Sequence, residues 1–208
     1  MEIIFGGTFD PIHMGHLKAA TTIAERLKAT VNLVPAARPA HRTTPGVSAE
    51  HRAEMVALAV KDFPDLKLNT LEIDRPGQSF AIDTALAVRQ RLGEETSICF
   101  SLGFDALAGI QSWERVDELA KVVNLLVTNR PGYKLPNPYV FKQWQLAQVD
   151  ELKDSPFGKL AVVEMPPTDI SATKVRQSMA LGESDERYLS PAVHKYIQQH
   201  RLYGAENE

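Results

Sequence analysis

Short apolar runs that alternate with helical patterns constrain the fold of this chain more than any other feature of its sequence. The runs have strand length and are largely unbroken: Ile3–Phe5, Val31–Val34, Leu66–Ile73 in broken form, Ile98–Leu102, Val122–Val127 and Leu160–Val163. Unbroken apolar strands are buried on both faces, as in a parallel sheet that helices cover on each side. We therefore predict an α/β fold with a Rossmann-like, doubly wound parallel sheet flanked by helices and a small C-terminal helical extension.

Helical spacing and capping residues place the helices between these runs. The first helix is predicted from about Gly15 to Lys28, because apolar residues recur there every three or four positions, at Leu17, Ala20, Ala24 and Leu27. Serines predict the starts of three more helices: Ser48 for a helix through Val60, Ser79 for the next, and Ser190 before Pro191 for a helix near Ala192–Gln199. A further helix is expected near Tyr139–Val149.

Length and composition exclude several classes of protein. The 208 residues suffice for one domain, which we predict over 1–208 with a helical part over about 169–208. A net charge of −3 gives no basis for a nucleic-acid-binding surface, and no run reaches the ~18 apolar residues that a membrane helix needs. The single cysteine, Cys99, cannot form an internal disulfide, and the first residues lack the pattern of a signal peptide. We expect a cytoplasmic protein that binds neither nucleic acid nor membrane; a homo-oligomer stays open.

The segment Gly6–His16 lies between the first strand and the first helix, where a phosphate would meet backbone amides and the positive end of the helix dipole. Gly6 and Gly7 let the chain approach a ligand without an intervening side chain. The segment matches neither common phosphate-binding fingerprint, G-x-G-x-x-G or G-x-x-x-x-G-K-[ST]. It offers His13 and His16 instead, two imidazoles at the start of a helix that can donate hydrogen bonds to phosphate oxygens.

Two other interpretations of this segment stay open on the residues alone. One is a tight turn with incidental histidines, since so short a motif often occurs by chance. The other is a zinc site with His41 as a third ligand, although the segment lacks a cysteine partner and the H-E-x-x-H spacing of helical zinc sites. We predict no metal site built from the protein's own ligands.

The segment Asp169–Arg176 is a second candidate for phosphate binding. If Ser171 caps a helix, Thr173 falls in its first turn and Arg176 follows three residues later on the same face. Hydroxyls, backbone amides and a guanidinium can then converge on one anion, as a polyphosphate requires. A capped helix with a surface arginine is the alternative.

A proline-rich loop, Pro35–Gly46, follows the second strand directly. It should therefore lie at the carboxyl edge of the sheet, where α/β proteins bind their ligands. The loop carries His41 and Arg42, which either are simply solvated or hang over the same sheet edge as Gly6–His16. An arginine would offer an anion both a charge and a planar fork.

The string Gly6–His16 as a whole resembles the signature of nucleotidyltransferases that carry a His-x-Gly-His motif. Its form, Gly-Gly-Thr-Phe-Asp-Pro-Ile-His, is most similar to the bacterial nicotinate-mononucleotide adenylyltransferase family, and the resemblance covers essentially the whole chain. It implies two small-molecule substrates, ATP and nicotinate mononucleotide. The products would be nicotinate adenine dinucleotide, for NAD biosynthesis, and pyrophosphate. The resemblance also implies Mg²⁺, held mainly by the ATP phosphates.

The same resemblance assigns roles to residues of this chain. His16 and His13 would be catalytic, with His16 donating to the α-phosphate as negative charge builds. The residues that would bind ATP or its phosphates are Gly7, Thr8, Phe9, His41, Arg42, Gly103, Asp105, Ser171, Thr173 and Arg176. The residues that would bind the mononucleotide are Gly6, Thr84, Trp113 and Arg130. Ala172 stands where many members have serine, so one hydroxyl of the triphosphate element is missing.

Four of these residues also have a purely structural interpretation. Thr84 can be an ordinary first-turn residue of a helix, and Asp105 can cap the helix that follows Gly103. Trp113 can belong to the core, which is the commoner place for a tryptophan, and Arg130 can serve an Arg-Pro-Gly turn. The family roles are, respectively, to orient the nicotinate group, to contact ribose, to stack on the pyridine ring and to line the site.

Two rival functions stay open at this stage. One is a related adenylyltransferase that uses nicotinamide mononucleotide or phosphopantetheine. The other is a module that senses ATP or a dinucleotide without catalysis. The acid and the amide mononucleotide differ by one atom that is contacted largely through backbone, so the residues alone do not separate them.

Overall fold

A computed structural model describes residues 1–39, 45–129, 135–166, 168–181 and 187–204 of the chain. The strands of these ranges form one parallel sheet, in the order β3-β2-β1-β4-β5-β7-β6. Their bounds are β1 (Glu2–Gly7), β2 (Val31–Pro35), β3 (Leu66–Leu68), β4 (Ile98–Gly103), β5 (Asn124–Asn129), β6 (Gln145–Leu146) and β7 (Lys159–Glu164). The predicted α/β fold with a doubly wound parallel sheet is confirmed.

Helices cover both faces of this sheet. Their bounds are α1 (Met14–Leu27), α2 (Ala49–Val60), α3 (Ala81–Leu92), α4 (Phe104–Ala108), α5 (Val116–Leu119), α6 (Ala172–Ala180) and α7 (Pro191–Gln199). Short 3-10 turns are found at Ile110–Ser112, Pro138–Phe141, Val149–Leu152 and Leu202–Gly204. No helix in the described ranges is both long enough and apolar enough to cross a membrane.

The two faces of the sheet bury two separate apolar layers. Ile3 packs with Leu17 and Val193 in the layer that holds α1, α2, α6 and α7, whereas its neighbour Ile4 packs with Val88 in the layer that holds α3. Both isoleucines are completely or almost completely buried. This alternation along β1 explains why the strands are largely unbroken apolar runs: in a sheet covered on both sides, side chains on both faces are buried, and most of them are apolar.

Most of the predicted elements are present. Ser48 and Ser190 are the N-caps of α2 and α7, and α1 spans almost the predicted range. The prediction of Ser79 as a helix cap is wrong: α3 begins after Phe80, and the Ser79 hydroxyl instead accepts a hydrogen bond from the backbone N–H of Ala37 at 3.0 Å.

Two further predictions on secondary structure need correction. The broken apolar run Leu66–Ile73 is a strand only at Leu66–Leu68, because the chain turns immediately afterwards and Asn69 accepts from the Leu71 N–H. The helix predicted near Tyr139–Val149 is absent. That region instead holds two 3-10 turns and the short edge strand β6, whose backbone pairs with β7.

The strand order places a crevice at one edge of the sheet. From β1 the chain continues to β2 on one side, whereas β4 lies on the other side of β1. The loops that leave the carboxyl ends of β1 and β4 therefore diverge, and such a point is where doubly wound sheets bind ligands.

Candidate active site

A cavity of about 620 Å³ opens at the carboxyl ends of β1 and β4. It lies between the loop after β1, the residues after β4 and the start of α6. The predicted site residues that line it are Gly6, Gly7, Thr8, Phe9, His13, His16, Gly103, Asp105, Ser171, Thr173 and Arg176. The two segments predicted to bind phosphate, which are distant in sequence, thus face a single cavity.

His13 and His16 cap the first helix reciprocally. His13 is the N-cap of α1, and its Nδ1 accepts a hydrogen bond from the His16 backbone N–H at 3.3 Å. The Nδ1 of His16 accepts in turn from the His13 backbone N–H, also at 3.3 Å. The two rings stack with their centroids 3.7 Å apart. Because each Nδ1 is an acceptor, the ring proton lies on Nε2, which is the donor that each ring has for a ligand.

The two imidazoles differ in their exposure. His13 is buried, and this burial lowers its pKa from 6.5 to about 4. A buried imidazole loses its charge because the low-dielectric surroundings penalise the charged form. His13 is therefore neutral at pH 7, while His16 is only partly buried and is the more accessible of the two to a ligand.

Two glycines of the first loop are required by packing inside the loop. A Cβ on Gly15 would lie 3.0 Å from Nδ1 of His13, so any other residue here would press on the stacked ring. A Cβ on Gly7 would lie 2.8 Å from the ring of Phe9. Phe9 is itself buried and holds a left-handed φ of 49°. Gly7, which we predicted to let a ligand approach, thus also makes room for an aromatic ring.

The start of α6 supplies the hydroxyls and the guanidinium of the site. Ser171 is the N-cap, as predicted, and its hydroxyl accepts from the Lys174 N–H at 3.3 Å. The Nη2 of Arg176 lies 3.4 Å from the Thr173 hydroxyl, one turn earlier on the same face. The Nη1 of Arg176 donates to the backbone carbonyl of Asp10 at 2.7 Å. Arg176 therefore joins α6 to the first loop.

Asp10 connects the first loop to two more segments. Its Oδ1 accepts from the Tyr203 hydroxyl at 2.7 Å, and its Oδ2 accepts from the Gly46 N–H at 3.2 Å. The carboxylate is largely buried. Asp10 lies within the predicted phosphate-binding segment Gly6–His16, but its sequence context predicts no role for it. Because its partners Tyr203 and Gly46 are distant in sequence, only its position between the end of β1 and the histidines pointed to a role.

Arg52 is a second residue whose importance the sequence did not reveal. It is almost completely buried on α2, and its guanidinium donates to three backbone carbonyls, those of Thr8 at 2.6 Å, Ala37 at 3.1 Å and Val47 at 3.2 Å. A charged residue on the apolar face of α2 was the available signal. These bonds fix the first loop and both ends of the loop that follows β2.

The helix dipoles at the cavity suit an anionic ligand, while the charged side chains of its described lining balance. Lys18 and Arg176 are the lysine and arginine among the described lining residues, and the carboxylates there are Asp10 and Asp105. The N-termini of α1 and α6 meet at the same cavity, and helix N-termini attract phosphate through their backbone N–H groups and dipole. Asp105 lies in the first turn of α4 with Gly103 at its N-cap, so the alternative of Asp105 as a helix cap is wrong.

Of the described residues predicted to bind the mononucleotide, only one lines the cavity. Gly6 lines the cavity, but Thr84 and Trp113 do not belong to its described lining. Thr84 is completely buried and its hydroxyl donates to Oε1 of Glu72 at 2.7 Å. Trp113 is partly buried, and its ring packs edge to face against that of Phe100, with the ring centroids 6.0 Å apart. A Cβ on Gly6 would lie 3.3 Å from the same Phe100 ring, which therefore links Trp113 to the first loop.

Three predicted site residues, His41, Arg42 and Arg130, lie outside the described ranges. Their roles stay predictions. Within the ranges that are described, no group of three or more His, Cys, Asp or Glu side chains is placed to hold a metal ion.

Comparison with known proteins identifies the family. The model of the cytidylyltransferase-like family matches residues 4–178. A Hahella chejuensis protein named "Probable nicotinate-nucleotide adenylyltransferase" is 36% identical over 211 residues, covering 99% of this chain and 96% of the relative. A Chromobacterium violaceum protein of the same name is 38% identical over 206 residues, covering 96% and 97%. The chain belongs to the nicotinate-nucleotide adenylyltransferase family. This confirms the resemblance seen in the sequence.

Solved structures agree on the fold of this adenylyltransferase. A Plasmodium falciparum nicotinic acid mononucleotide adenylyltransferase complexed with NaAD superposes with a TM-score of 0.74 at 20% identity, covering 98% of this chain and 97% of that chain. The same enzyme complexed with APC gives a TM-score of 0.70 at 18% identity, covering 98% and 97%. At this level of identity the likeness concerns the fold alone.

Proposed function

We propose that this chain joins ATP and nicotinate mononucleotide to give nicotinate adenine dinucleotide and pyrophosphate. The proposal rests on one observation: His13 and His16 line the same cavity as Ser171, Thr173 and Arg176 at the start of α6. Family membership gives the reaction class, and the cavity supplies the groups that such a reaction needs.

The chemistry requires alignment rather than a protein nucleophile. An oxygen of the mononucleotide 5′-phosphate attacks the α-phosphorus of ATP, and the bond from that phosphorus to the bridging oxygen breaks, so that pyrophosphate leaves. The attacking phosphate is already ionised at neutral pH, so no general base is needed. Cys99 supports this picture: it lies buried in β4, and burial raises the pKa of its thiol to about 12.

His16 would stabilise the transition state. Its Nδ1 is occupied by the His13 N–H, which assigns the proton to Nε2 and makes the ring a hydrogen-bond donor toward the α-phosphate. His13 would hold a flanking phosphate as a neutral donor. The N-termini of α1 and α6 would bind the remaining phosphate oxygens.

Arg176 would grip the triphosphate beside these amides. Its Nη1 is held by the Asp10 carbonyl, which fixes the plane of the guanidinium next to the first turn of α6. The hydroxyls of Ser171 and Thr173 lie in the same turn. Ala172 offers no hydroxyl, so we expect the Arg176 fork to carry more of the phosphate contact.

Mg²⁺ would arrive with ATP. The two carboxylates of the described cavity lining, Asp10 and Asp105, do not form a metal cluster, and that of Asp10 already accepts from Tyr203 and Gly46. This donor set fits an ion that is held by the triphosphate and water. Bound there, Mg²⁺ would neutralise charge that builds on the phosphates.

We also propose that the protein acts in the cytoplasm on small molecules, without a nucleic-acid partner. The net charge of −3 and the free, buried Cys99 support this proposal.

Incubation of the purified protein with ATP, Mg²⁺ and one acceptor at a time tests the function. The acceptors are nicotinate mononucleotide, nicotinamide mononucleotide and phosphopantetheine, and product mass and pyrophosphate are read together. We expect nicotinate adenine dinucleotide to form fastest. Faster reaction of another acceptor would contradict the assigned substrate. ATP binding with no release of pyrophosphate from ATP in the presence of any acceptor would indicate a sensor.

A further inference from the structure

We propose that Tyr203 is a positioning residue that holds the phosphate-binding loop in its working geometry through its hydrogen bond to Asp10. The inference rests on the proposed function, because it concerns the loop that carries His13 and His16. Tyr203 is not among the described residues that line the cavity, and its hydroxyl reaches the first loop through Asp10.

The geometry of the Tyr203 contact is specific. The hydroxyl donates to Oδ1 of Asp10 at 2.7 Å across 193 positions of sequence. Burial, reinforced by the Asp10 carboxylate, raises the pKa of this hydroxyl. The hydroxyl therefore stays protonated and acts as the donor. A short bond from a neutral donor to a buried carboxylate belongs to the stronger class of hydrogen bonds.

The backbone around Tyr203 is bent in a way that favours this contact. Arg201 and Tyr203 adopt left-handed φ values of 51° and 59°, which non-glycine residues rarely hold without compensation from their surroundings. The turn Leu202–Gly204 packs against α6 and α7. Gly204 lies over Ala180, the last residue of α6, where an added Cβ would be 3.8 Å from the Ala180 Cα.

The turn therefore contacts both of the segments that carry the phosphate-binding residues, the first loop and α6. Through Gly204 it lies against Ala180 at the end of α6, one turn after Arg176, and through Tyr203 it holds Asp10. Arg176 joins these two segments directly, because its Nη1 donates to the Asp10 carbonyl. Loss of the Tyr203 hydroxyl would leave Oδ1 of Asp10 without this bond in a largely buried place. The Arg176 bond would remain, but the loop would be held by one contact fewer, and we expect it to shift relative to α6.

A conservative pair of variants separates positioning from stability. Tyr203→Phe removes only the hydroxyl. Tyr196→Phe is the matched control, because the Tyr196 hydroxyl lies 2.8 Å from Nδ1 of His51, on the contact between α2 and α7. Both variants lose one hydroxyl hydrogen bond that involves the C-terminal helical part, but only Tyr203 bonds to the first loop.

Steady-state kinetics and binding of a non-hydrolysable ATP analogue are measured for both variants. A small displacement of aligned groups costs rate steeply, so we expect Tyr203→Phe to lower kcat about tenfold. It should also weaken ATP-analogue binding but leave the KM for nicotinate mononucleotide within about twofold. Tyr196→Phe should leave kcat and analogue binding near wild type.

Equal effects of the two variants, or wild-type kcat and analogue binding for Tyr203→Phe, would overturn the proposal. The binding measurement keeps this test separate from the proposed function. If the wild-type protein transfers no adenylyl group but binds the analogue, weaker binding by Tyr203→Phe alone still supports positioning by Tyr203, and equal binding still contradicts it.

Discussion

The Nη1 atom of Arg176 donates to the backbone carbonyl of Asp10 at 2.7 Å, which joins two segments that are 166 positions apart in sequence. One contact thus fixes the late helix α6 against the loop that carries the histidine pair. The guanidinium is partly exposed at the cavity, so it can bind a ligand while it holds the loop.

Arg176→Lys should weaken ATP binding although it keeps the charge. Lysine cannot bond the Asp10 carbonyl and a phosphate through one planar fork. We expect the KM for ATP to rise about tenfold, a loss of about 1.4 kcal/mol, with little change in the KM for the mononucleotide. Arg115→Lys, at an arginine paired with Glu118 away from the cavity, is the control. An unchanged KM for ATP would remove Arg176 from the triphosphate site.

Gly15→Ala should impair the reaction more than it affects stability. The added methyl would lie 3.0 Å from the His13 Nδ1 and must displace the ring that stacks on His16. Alanine favours a helix over glycine by about 1 kcal/mol, which offsets part of the strain. We expect kcat to fall at least about tenfold, while thermal unfolding shifts little. Gly109→Ala, whose methyl would meet the nearest atom at 3.9 Å, should change neither quantity.

His13 should make stability depend on pH in a defined window. Its pKa is 6.5 when unfolded and about 4 when folded, so between these values the unfolded chain binds the extra proton. The contribution of neutral His13 to the free energy of unfolding is therefore complete above pH 6.5. It is lost as the pH falls toward 4, by about 3 kcal/mol. His13→Asn keeps a capping side chain but does not titrate. Chemical denaturation across this range should show a flatter pH profile for the variant, and parallel profiles would contradict the burial argument.

Arg52→Met should destabilise the fold. The buried guanidinium serves the carbonyls of Thr8, Ala37 and Val47, and methionine keeps the stem but leaves those carbonyls without their donor. We expect a loss of about 3 kcal/mol in the free energy of unfolding, measured by denaturant titration. Arg26→Met removes only an exposed pair with Asp150 and should change the midpoint little. A similar midpoint for both variants would show that the buried bonds contribute nothing.

Much of the fold could be predicted because its determinants are local in sequence. Ile3 and Ile4 are both apolar since a two-sided sheet buries both, and Ser48, Ser171 and Ser190 bond amides only three residues away. Ser79 shows the limit of this reasoning. It has the residue type of a cap, but its hydroxyl accepts from Ala37, which is 42 positions earlier.

The sequence predicts part of the described cavity lining but not the contacts between its segments. His13 and His16 lie three residues apart on one helix start, so their spacing alone predicts that they meet. The bonds of Asp10 to Tyr203 and of Arg52 to Thr8 join residues that only the tertiary fold brings together. No periodicity or spacing encodes such pairs. The buried position of Thr84 against Glu72 likewise depends on how the segment after β3 turns back onto α3.

The rate of adenylyl transfer by His16→Ala tests the central claim most directly. Removal of one preorganised donor to a developing oxyanion costs about 10²–10³ in kcat. We therefore predict a fall of that size in dinucleotide and pyrophosphate formation, while the variant still unfolds cooperatively. A kcat within about twofold of wild type would contradict the account, because the histidine pair would then have no part in the chemistry of the cavity.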